Sequence, residues 1–500
     1  MNSGPAPFRL YNTLSRTVEP FVSLEPGNVK LYVCGMTVYD EAHVGHARVY
    51  IIFDAFVRYL RAQGWDVTYV RNFTDVDDKI IRRANEQGVP PLELAQHYID
   101  CFHRDMTALG LLDPEVEPRV STSMNAILAM IGRLIDDGNA YAAGGSVWFD
   151  VTSKADYGKL SGQKIDDLRS ADAGESHKRH PADFALWKAV KPGEPSWESP
   201  WGPGRPGWHI ECSAMNMDTH GPSIDIHGGG LDLVFPHHEN EIAQSECANH
   251  APYARYWMHN GLLTVPPAEG SAAESAKMGK SLGNAFRIHD ALQSVPAEAM
   301  RLFYLQAHYR SALPWTPASL TDALALLARL YEAREVARAM GGDEPADRVI
   351  SDLGADAKEV YDLGQSFSTR FHEALQDDFN TAAAMAHAYE LARAINRFAN
   401  HKKAKKRGAP VVAPALAGLE ELHALNFLTQ DTETFFAEVK HKRLKVMGLT
   451  VETIEGLLAD RKRARTERNW SEADAIRDKL DEMGIVVMDG AEGVTWRVAL

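Results

Sequence analysis

One strand–helix–strand pattern near the start of the chain limits the possible folds more than any other feature. Residues 29–35 alternate apolar and polar side chains and stop at Gly35, which predicts a strand. An apolar stripe at helical spacing follows, formed by Val49, Ile52, Phe53, Phe56 and Leu60. Gly64 closes that helix, and Asp66–Arg71 predicts a second strand. Such a unit implies a parallel sheet, whose ligands bind beyond the carboxyl ends of the strands.

Composition sets the broad class of the protein. The 500 residues are enough for roughly three domains, and 45% hydrophobic with 24% charged residues is typical of a globular protein. The net charge of −15 excludes a uniformly basic nucleic-acid coat protein but allows local basic patches. Four cysteines are too few for a secreted disulfide framework, and neither an apolar run of membrane length nor a signal-peptide pattern is found. We therefore expect a cytoplasmic protein.

The middle of the chain continues the mixed α/β pattern. Two helical patterns lie within residues 91–140, and residues 146–151 predict a strand. Residues 170–208 are rich in proline, glycine and tryptophan and have little periodicity, which predicts a long functional loop. Residues 223–227 predict a strand that runs into a loop of three glycines, and a helix follows at roughly 238–249.

The chain becomes nearly continuous helix beyond about residue 315. A basic cluster at 402–407 leads into residues 408–410, which we interpret as a linker or loop. Ser471 and Asp474 predict a capping box at the start of a late helix. In the last part, the sequence predicts one helix near residue 451 and another at 472–483. Two short strands at 485–488 and 494–497 would then form a hairpin.

A pair of histidines lies in the loop between the first strand and its helix. The sequence there reads His43-Val44-Gly45-His46. A helix N-terminus presents unpaired N–H groups and partial positive charge, which suits a phosphate. Imidazoles can donate to phosphate oxygens, and Gly45 lets a ligand approach the backbone. An isolated motif of this kind is more often a pair of surface histidines, and its place in the loop gives it weight.

Two lysines three positions apart form a second candidate site. Lys277 and Lys280 follow the small-residue stretch 268–276, which predicts a mobile loop able to close over a polyphosphate. Alone, such a pair is more often a solvated basic loop. Its meaning depends on the histidine motif in the same chain.

Cysteine, histidine and glutamate form a candidate metal site. Cys34 ends the first strand, Cys212 follows much later, and His237 and Glu241 at i, i+4 share one helix face. Two thiolates, an imidazole and a carboxylate make a tetrahedral zinc set. His238 with Glu241 at i, i+3 is also possible, and spacing does not decide between the histidines. Two buried free cysteines beside a surface helix are the alternative.

These motifs together resemble the class I aminoacyl-tRNA synthetases and, within that class, the cysteine–tRNA ligase family. The resemblance covers nearly the whole chain, and the combination is far more specific than any single motif. The stretches that carry it are residues 34–46, 72–79, 204–212, 227–232, 235–241, 277–281, 378–381 and 469–474.

The resemblance implies a fold class and a domain order. The fold would be α/β, with a Rossmann-type parallel-sheet catalytic domain that carries an insertion, then a helical bundle domain and a small C-terminal α+β domain. We expect the catalytic domain at 1–315, with the inserted connective region at about 90–210 and the lysine loop at about 266–285. The helical tRNA-binding domain would span 316–430, and the anticodon-binding domain 431–500.

The resemblance also implies the reaction and its residues. Cysteine would be joined to its tRNA through a cysteinyl-adenylate, by an enzyme expected to be a monomer. Zinc, one ion per chain, would be held by Cys34, Cys212, His237 and Glu241, and ATP would arrive with Mg²⁺. The residues implied to bind ATP are His43, Gly45, His46, Asp232 and Lys280. Those implied for catalysis are His43, His46, Lys277 and Lys280. Those implied to bind the amino acid are Thr74, Trp208 and His227.

The sequence departs from the family pattern in three places. Met36 replaces the usual proline, Gly279 replaces the usual serine between the lysines, and residues 268–276 look like an insertion. None removes an implied ligand or charge. The glycine and the insertion would change the dynamics of the loop and hence the rate.

Contacts with tRNA are harder to predict from sequence. The basic stretches 402–407, 440–445 and 461–468 are candidate phosphate contacts, although each alone is more often a solvated face. Trp496 could stack on a base or pack the small domain. Two other functions remain open at this stage, namely a ligase that joins activated cysteine to an amino sugar and a zinc-stabilised binding protein without turnover.

Overall fold

The computed structural model describes residues 5–168, 177–265, 276–278, 286–490 and 493–500. The chain divides into two compact units. Unit 1 consists of Met1–Ala285, Ala307–Pro314 and His372–Ala382, and unit 2 of Phe286–Gln306, Trp315–Phe371 and Ala383–Leu500. Within the described residues, no helix combines the length and the apolar character that a bilayer crossing requires.

In the described part of residues 5–277, strands and helices are mixed along the chain. In chain order these are β1 (Arg9–Asn12), β2 (Thr17–Pro20), β3 (Asn28–Val33), α1 (Val44–Ala62), β4 (Asp66–Arg71), α2 (Asp78–Gln87), α3 (Pro91–Ala108), α4 (Met124–Asp136), β5 (Ala140–Ala143), β6 (Ser146–Phe149), β7 (Phe184–Ala189), β8 (Gly204–Pro206), α5 (Trp208–His220), β9 (Ile224–Gly230), α6 (Glu239–Asn249), β10 (Ala254–Asn260), β11 (Leu263–Val265) and β12 (Ala276–Lys277). The predicted strand–helix–strand unit is confirmed as β3, α1 and β4.

The central sheet has the order β10-β9-β3-β4, and every neighbouring pair is parallel. Helix α1 packs its apolar stripe on this sheet, where Phe53 and Phe56 are buried. Gly228 of β9 allows this packing, since a Cβ there would overlap the Phe53 ring. The predicted glycine loop is wrong, because Gly228–Gly230 continue β9 and pair with β10. The carboxyl ends of β3 and β9 therefore lie side by side.

A second, antiparallel sheet lies in the inserted region, with the order β5-β6-β7-β8. The interpretation of residues 170–208 as one long loop is wrong, because β7 and β8 lie within it. The apolar face of β7 joins the buried cluster that contains Trp187. β8 reads Gly-Arg-Pro and has no apolar alternation, so only its pairing with β7 defines it as a strand.

The rest of the chain is mostly helical. Its elements are α7 (Ile288–Leu292), α8 (Ala297–Leu305), β13 (Leu313–Pro314), α9 (Pro317–Arg338), α10 (Ala346–Leu353), α11 (Ala355–Gln376), α12 (Thr381–Ala399), α13 (Ala404–Arg407), α14 (Ala409–Glu420), α15 (Thr432–Met447), α16 (Val451–Thr466), α17 (Trp470–Glu482), β14 (Ile485–Gly490) and β15 (Gly493–Val498). The predicted hairpin is confirmed, with β14 antiparallel to β15. β13 pairs with β11, which also pairs with β12.

Two local predictions in this part are wrong. Residues 408–410 are not a linker, because Gly408 separates α13 from α14 and Pro410 lies in the first turn, where its missing N–H is tolerated. Helix α17 is capped by Asn469, whose side chain accepts from the Glu472 N–H at 3.4 Å, rather than by a box of Ser471 and Asp474. The predicted domain boundaries remain predictions.

Candidate active site

The two histidines of the first βα loop form the N-terminal cap of α1. The Nδ1 atom of His43 accepts from the Gly45 N–H at 3.0 Å, and the Nδ1 atom of His46 accepts from the His43 N–H at 3.2 Å. Their rings stack with centroids 3.8 Å apart. Because Nδ1 accepts, each neutral ring carries its proton on Nε2, a donor suited to a phosphate oxygen. A Cβ at Gly45 would lie 2.8 Å from the His43 ring, so this position requires glycine.

A cavity of about 660 Å³ lies at the carboxyl ends of the central strands. It brings together six residues that the sequence predicted for the site. These are Cys34, His43, Gly45, His46, Trp208 and Asp232. Cys34, which directly follows β3, thus lines the same cavity as the helix cap.

Helix α2 provides a part of the cavity wall that sequence reasoning missed. Lys79, Arg82 and Arg83 line the cavity, together with Tyr39 and Asp40. The Lys79 ammonium lies 5.7 Å from the centroid of the Tyr39 ring. The positions 79, 82 and 83 are i, i+3 and i+4, so their shared helix face could have been found from spacing.

The four predicted metal ligands come together in the fold. The Sγ atoms of Cys34 and Cys212 lie 3.8 Å apart, and Oε1 of Glu241 lies 3.5 Å from Cys34 Sγ and 3.1 Å from Nε2 of His237. One ligand atom from each of the four lies within 4.8 Å of every other. All four side chains are buried. The cluster could therefore hold a metal ion.

A second set of donors shares two of these residues. Cys34, His227, His238 and Glu241 also lie within 4.8 Å of one another. Nε2 of His238 lies 3.4 Å from Cys34 Sγ, and its Nδ1 lies 2.8 Å from Nε2 of His259. His259 thus extends the cluster beyond the residues predicted from sequence. His237 and His238, between which sequence spacing did not decide, each belong to one of the two donor sets. Only the set with His237 includes both thiols.

The two thiols of the cluster have unequal acidity. Burial, together with Cys212, raises the pKa of the Cys34 thiol well above its ordinary value. The hydrogen bond from Cys34 lowers the pKa of Cys212 to about 6 despite burial, with His237 acting in the same direction. These opposite shifts favour a thiolate on Cys212 and a neutral thiol on Cys34 that donates to it. A thiolate is the form in which cysteine binds metals.

Glu241 is a buried carboxylate surrounded by donors. Burial alone would raise its pKa, but His227 and His237 more than offset that effect and lower the pKa. Its Oε2 atom lies 2.8 Å from His227 Nε2 and accepts from the Tyr253 hydroxyl at 3.0 Å. The carboxylate stays charged, with Oε1 directed to the thiols and Oε2 to His227.

The three residues predicted to bind the substrate amino acid differ in how deeply they are buried. Trp208 is 38% exposed, and its indole stacks on the His237 ring with centroids 4.4 Å apart. Thr74 and His227 are buried and are not in the cavity lining. The Thr74 hydroxyl donates to Glu211 at 2.9 Å, and burial raises the pKa of that carboxyl well above its ordinary value.

The lysine motif is described only in part. Lys277 lies in β12 opposite Thr264 of β11, and the Met278 N–H donates to the Leu263 carbonyl at 3.0 Å. Lys280, Gly279 and residues 268–275 lie outside the described residues.

Many side chains of the basic stretches contact other parts of their own unit. Arg407 pairs with Glu344 and Asp352, and Arg461 pairs with Asp489. Lys442 donates to the carbonyl oxygens of Leu292 and Val295, at 2.8 and 3.1 Å. The Lys440 ammonium lies 3.7 Å from the centroid of the Trp496 ring. These internal contacts favour structural roles for the side chains named here.

Comparison with known proteins identifies the family. A family model described as the class I (C) tRNA synthetase catalytic domain matches residues 20–325. A DALR domain model matches residues 370–422, and a cysteinyl-tRNA ligase anticodon binding domain model matches 449–497. The cysteine–tRNA ligases of Geobacter sulfurreducens and Syntrophobacter fumaroxidans are each 46% identical to this chain, over 98% of its length and 99% of theirs. The chain belongs to the cysteine–tRNA ligase family.

Solved structures with low sequence identity support the fold. A methionyl-tRNA synthetase of Mycobacterium tuberculosis in complex with methionyl-adenylate has a TM-score of 0.57 at 14% identity, covering 85% of this chain and 94% of that one. A putative arginyl-tRNA synthetase of Campylobacter jejuni has a TM-score of 0.51 at 13% identity, covering 84% and 93%. The predicted class I fold of a cysteine–tRNA ligase is confirmed, and the synthetases of this family use ATP, an amino acid and tRNA.

Proposed function

We propose that this chain attaches L-cysteine to its cognate tRNA in two steps. In the first, the carboxylate of cysteine attacks the α-phosphorus of ATP, which gives cysteinyl-adenylate and releases pyrophosphate. In the second, a terminal ribose hydroxyl of the tRNA attacks the carbonyl carbon and AMP leaves. The observation that carries this proposal is the single cavity lined by both Cys34 of the donor cluster and the histidine cap of α1.

The histidine cap is proposed to bind the phosphates of ATP. His43 and His46 would donate from Nε2 to phosphate oxygens at the positive end of α1. Gly45 leaves the backbone open to close approach. Lys277 and Lys280 would offset the negative charge that develops as pyrophosphate leaves, because phosphoryl chemistry depends mainly on positioning and charge stabilisation. ATP would arrive with Mg²⁺, for which we assign no protein ligand.

Asp232 is proposed to bind the nucleotide away from its phosphates. It lines the cavity, and a Cβ at Gly230 would lie 2.5 Å from its Oδ1 atom, so glycine makes room for the carboxylate. A carboxylate accepts hydrogen bonds from hydroxyl groups and repels phosphate. We therefore assign Asp232 to the sugar hydroxyls of ATP.

Cysteine is proposed to bind between the donor cluster and the nucleotide. Trp208 would cover the substrate side chain with its exposed ring, and Thr74 and His227 would supply polar contacts behind it. Thr74 and His227 are buried, and their side chains are hydrogen-bonded to Glu211 and Glu241 respectively. Both side chains would therefore have to shift locally to contact the ligand.

Zinc fits the donor set of Cys34, Cys212, His237 and Glu241. Two sulfurs, one ring nitrogen and one carboxylate oxygen match its preferred ligands, and the lowered pKa of Cys212 supplies a thiolate. A zinc ion held there would bind the substrate thiolate much more strongly than a neutral hydroxyl, which would select cysteine over serine. Shape alone separates such near-isosteres poorly. These four residues would hold the ion beside the cavity.

The acceptor is proposed to be tRNA. The match to an anticodon binding domain model at residues 449–497 favours a large acceptor, since an amino sugar needs no distant binding domain. This favours aminoacylation over the ligation of cysteine to an amino sugar.

The direct test is cysteine-dependent exchange of pyrophosphate into ATP, measured with and without a zinc chelator. We expect exchange with cysteine, loss of exchange after chelation and recovery when zinc is restored. Aminoacylation is then measured with tRNA and with an amino-sugar acceptor. Exchange at background level would support a binding protein without turnover, and transfer to the amino sugar alone would overturn the assignment of tRNA.

A further inference from the structure

Arg48 is a buried cation on the helix that follows the histidine motif. It lies in α1 two residues after His46 and has no exposed surface. Its guanidinium donates to the carbonyl oxygen of Leu262 at 2.8 Å, to that of Tyr309 at 3.3 Å and to that of Ser311. A buried cation is costly unless its donors are satisfied, so these carbonyls stabilise the side chain in one place.

The carbonyls that surround Arg48 belong to two segments that are themselves bonded together. The Leu313 N–H donates to the Leu262 carbonyl at 3.1 Å, and the Gly261 N–H donates to the Tyr309 carbonyl at 2.8 Å. A Cβ at Gly261 would lie 2.6 Å from the Arg310 carbonyl oxygen, so only glycine permits this approach. Arg48 therefore fixes the place where β11 and β13 begin.

The same small sheet carries the first residue of the lysine motif. β11 lies between β13 and β12, and Thr264 of β11 is opposite Lys277 of β12. One continuous set of backbone hydrogen bonds thus leads from the Arg48 guanidinium to the backbone of Lys277. The histidine cap and Lys277 are linked through Arg48.

Asp378 holds the second segment from its other side. Its carboxylate accepts from the Tyr309 hydroxyl at 2.7 Å, from Arg310 Nε at 2.8 Å and from the Tyr11 N–H at 2.8 Å. It is 4% exposed, and its φ of +58° is unusual for a residue other than glycine. Asp378 opens the 378–381 motif, to which the proposed reaction gives no role.

We propose that Arg48 and Asp378 are positioning residues that set strand β12, with Lys277, relative to the histidine cap. Arg48 acts on the backbone of the two segments, and Asp378 acts on the side chains of Tyr309 and Arg310. Neither touches the donor cluster, so their loss should slow adenylate formation and leave cysteine binding unchanged. This inference rests on the proposed function, because it concerns the step in which pyrophosphate leaves.

The test compares Arg48→Lys and Arg48→Met with the matched control Arg58→Lys. Arg58 lies on the same helix and donates to the Gly110 carbonyl at 2.9 Å, away from β11. We expect the kcat of pyrophosphate exchange to fall by up to about 100-fold in Arg48→Met, with an intermediate fall in Arg48→Lys. The Kd of cysteine, measured by calorimetry, should stay within about twofold of the wild type. The control should keep its kcat.

Asp378→Asn keeps the test decisive if Arg48→Met does not fold. Asparagine retains an acceptor for the Tyr11 N–H but loses the charge that holds Arg310, so kcat should fall by about tenfold with cysteine affinity unchanged. A folded Arg48→Met with wild-type kcat, an unchanged Asp378→Asn, or a parallel loss of kcat and cysteine affinity would overturn the inference. Absence of exchange in the wild type would instead overturn the proposed function, and the inference with it.

Discussion

The indole of Trp208 stacks on the imidazole of His237, with ring centroids 4.4 Å apart and 24° between their planes. Trp208 begins α5, whereas His237 lies just before α6. The stack connects a residue that lines the cavity to a donor of the buried cluster. The side chain that we propose to contact the substrate thus also packs against a proposed metal ligand.

Replacement of Trp208 should weaken cysteine binding more than it slows catalysis. In Trp208→Ala the His237 ring loses its aromatic neighbour, and we expect the KM for cysteine to rise by about tenfold, with a smaller rise in Trp208→Phe. Pyrophosphate exchange at varied cysteine concentration measures the effect. Trp470→Ala is the control, because Trp470 is exposed on unit 2, and a rise of equal size there would contradict the prediction.

The donor cluster predicts which cysteines matter for metal content. Cys34→Ser and Cys212→Ser each remove one sulfur from the set, so the purified variants should retain less than about a tenth of the wild-type zinc. Cys247→Ser serves as the control, since Cys247 is a half-buried free thiol that belongs to neither donor set. Elemental analysis after dialysis gives the result, and full zinc content in both cluster variants would contradict the assignment.

Gly45 should be essential for rate because of its contact with the helix cap. In Gly45→Ala the new Cβ would lie 2.8 Å from the His43 ring and displace it. We expect kcat for exchange to fall by at least about tenfold, with cysteine affinity retained.

Gly132→Ala is the matched control for that substitution. Gly132 lies inside α4, where an added Cβ meets no atom within 4 Å. This variant should keep full activity and gain about 0.5–1 kcal/mol in the free energy of unfolding, because alanine favours the helix. Equal activity of the two variants would show that the cap geometry does not matter.

Because His220 is buried, we expect the free energy of unfolding to decrease in mild acid. Burial lowers its pKa from 6.5 to about 4, and its ring lies 3.3 Å from the Leu31 carbonyl oxygen. Between these pH values the unfolded chain binds a proton that the folded chain does not. Stability therefore falls as the pH decreases from about 6.5 to about 4, by about 2 kcal/mol between pH 7 and pH 5 for this group.

The variant His220→Gln separates this group from others that titrate. Glutamine keeps an N–H donor for the Leu31 carbonyl and does not titrate. Urea unfolding at pH 7 and pH 5 should therefore show a smaller loss in the variant than in the wild type. Equal losses in both proteins would contradict the role given to His220.

The central strand and helix of the fold could be predicted from sequence because the patterns that indicate them lie within each element. The apolar stripe of α1 and the alternation in β3 depend on neighbouring residues, and both elements are confirmed. β8 was missed because three residues without alternation become a strand only through pairing with β7. The cap of α17 was placed two residues late, since serine and asparagine both cap helices and spacing did not separate them.

Only the part of the candidate site that depends on nearby residues could be predicted from sequence. Spacing placed His237 and Glu241 on one helix face, while only the fold brings Cys34 within 3.8 Å of Cys212, 178 residues away. The role of Arg48 had no local signal, because its partner Leu262 lies 214 positions further along the chain. A lone arginine in an amphipathic helix is usually a solvated residue, and burial alone distinguishes this one.

The most direct test of the account compares the binding of cysteine and serine before and after removal of the metal. Calorimetry on the loaded protein should show strong preference for cysteine. On the stripped protein the preference should fall to about tenfold or less, because a cavity that relies on shape distinguishes sulfur from oxygen poorly. Restored zinc should restore the preference. If the stripped protein still prefers cysteine to the same degree, the metal does not select the substrate and the central claim is wrong.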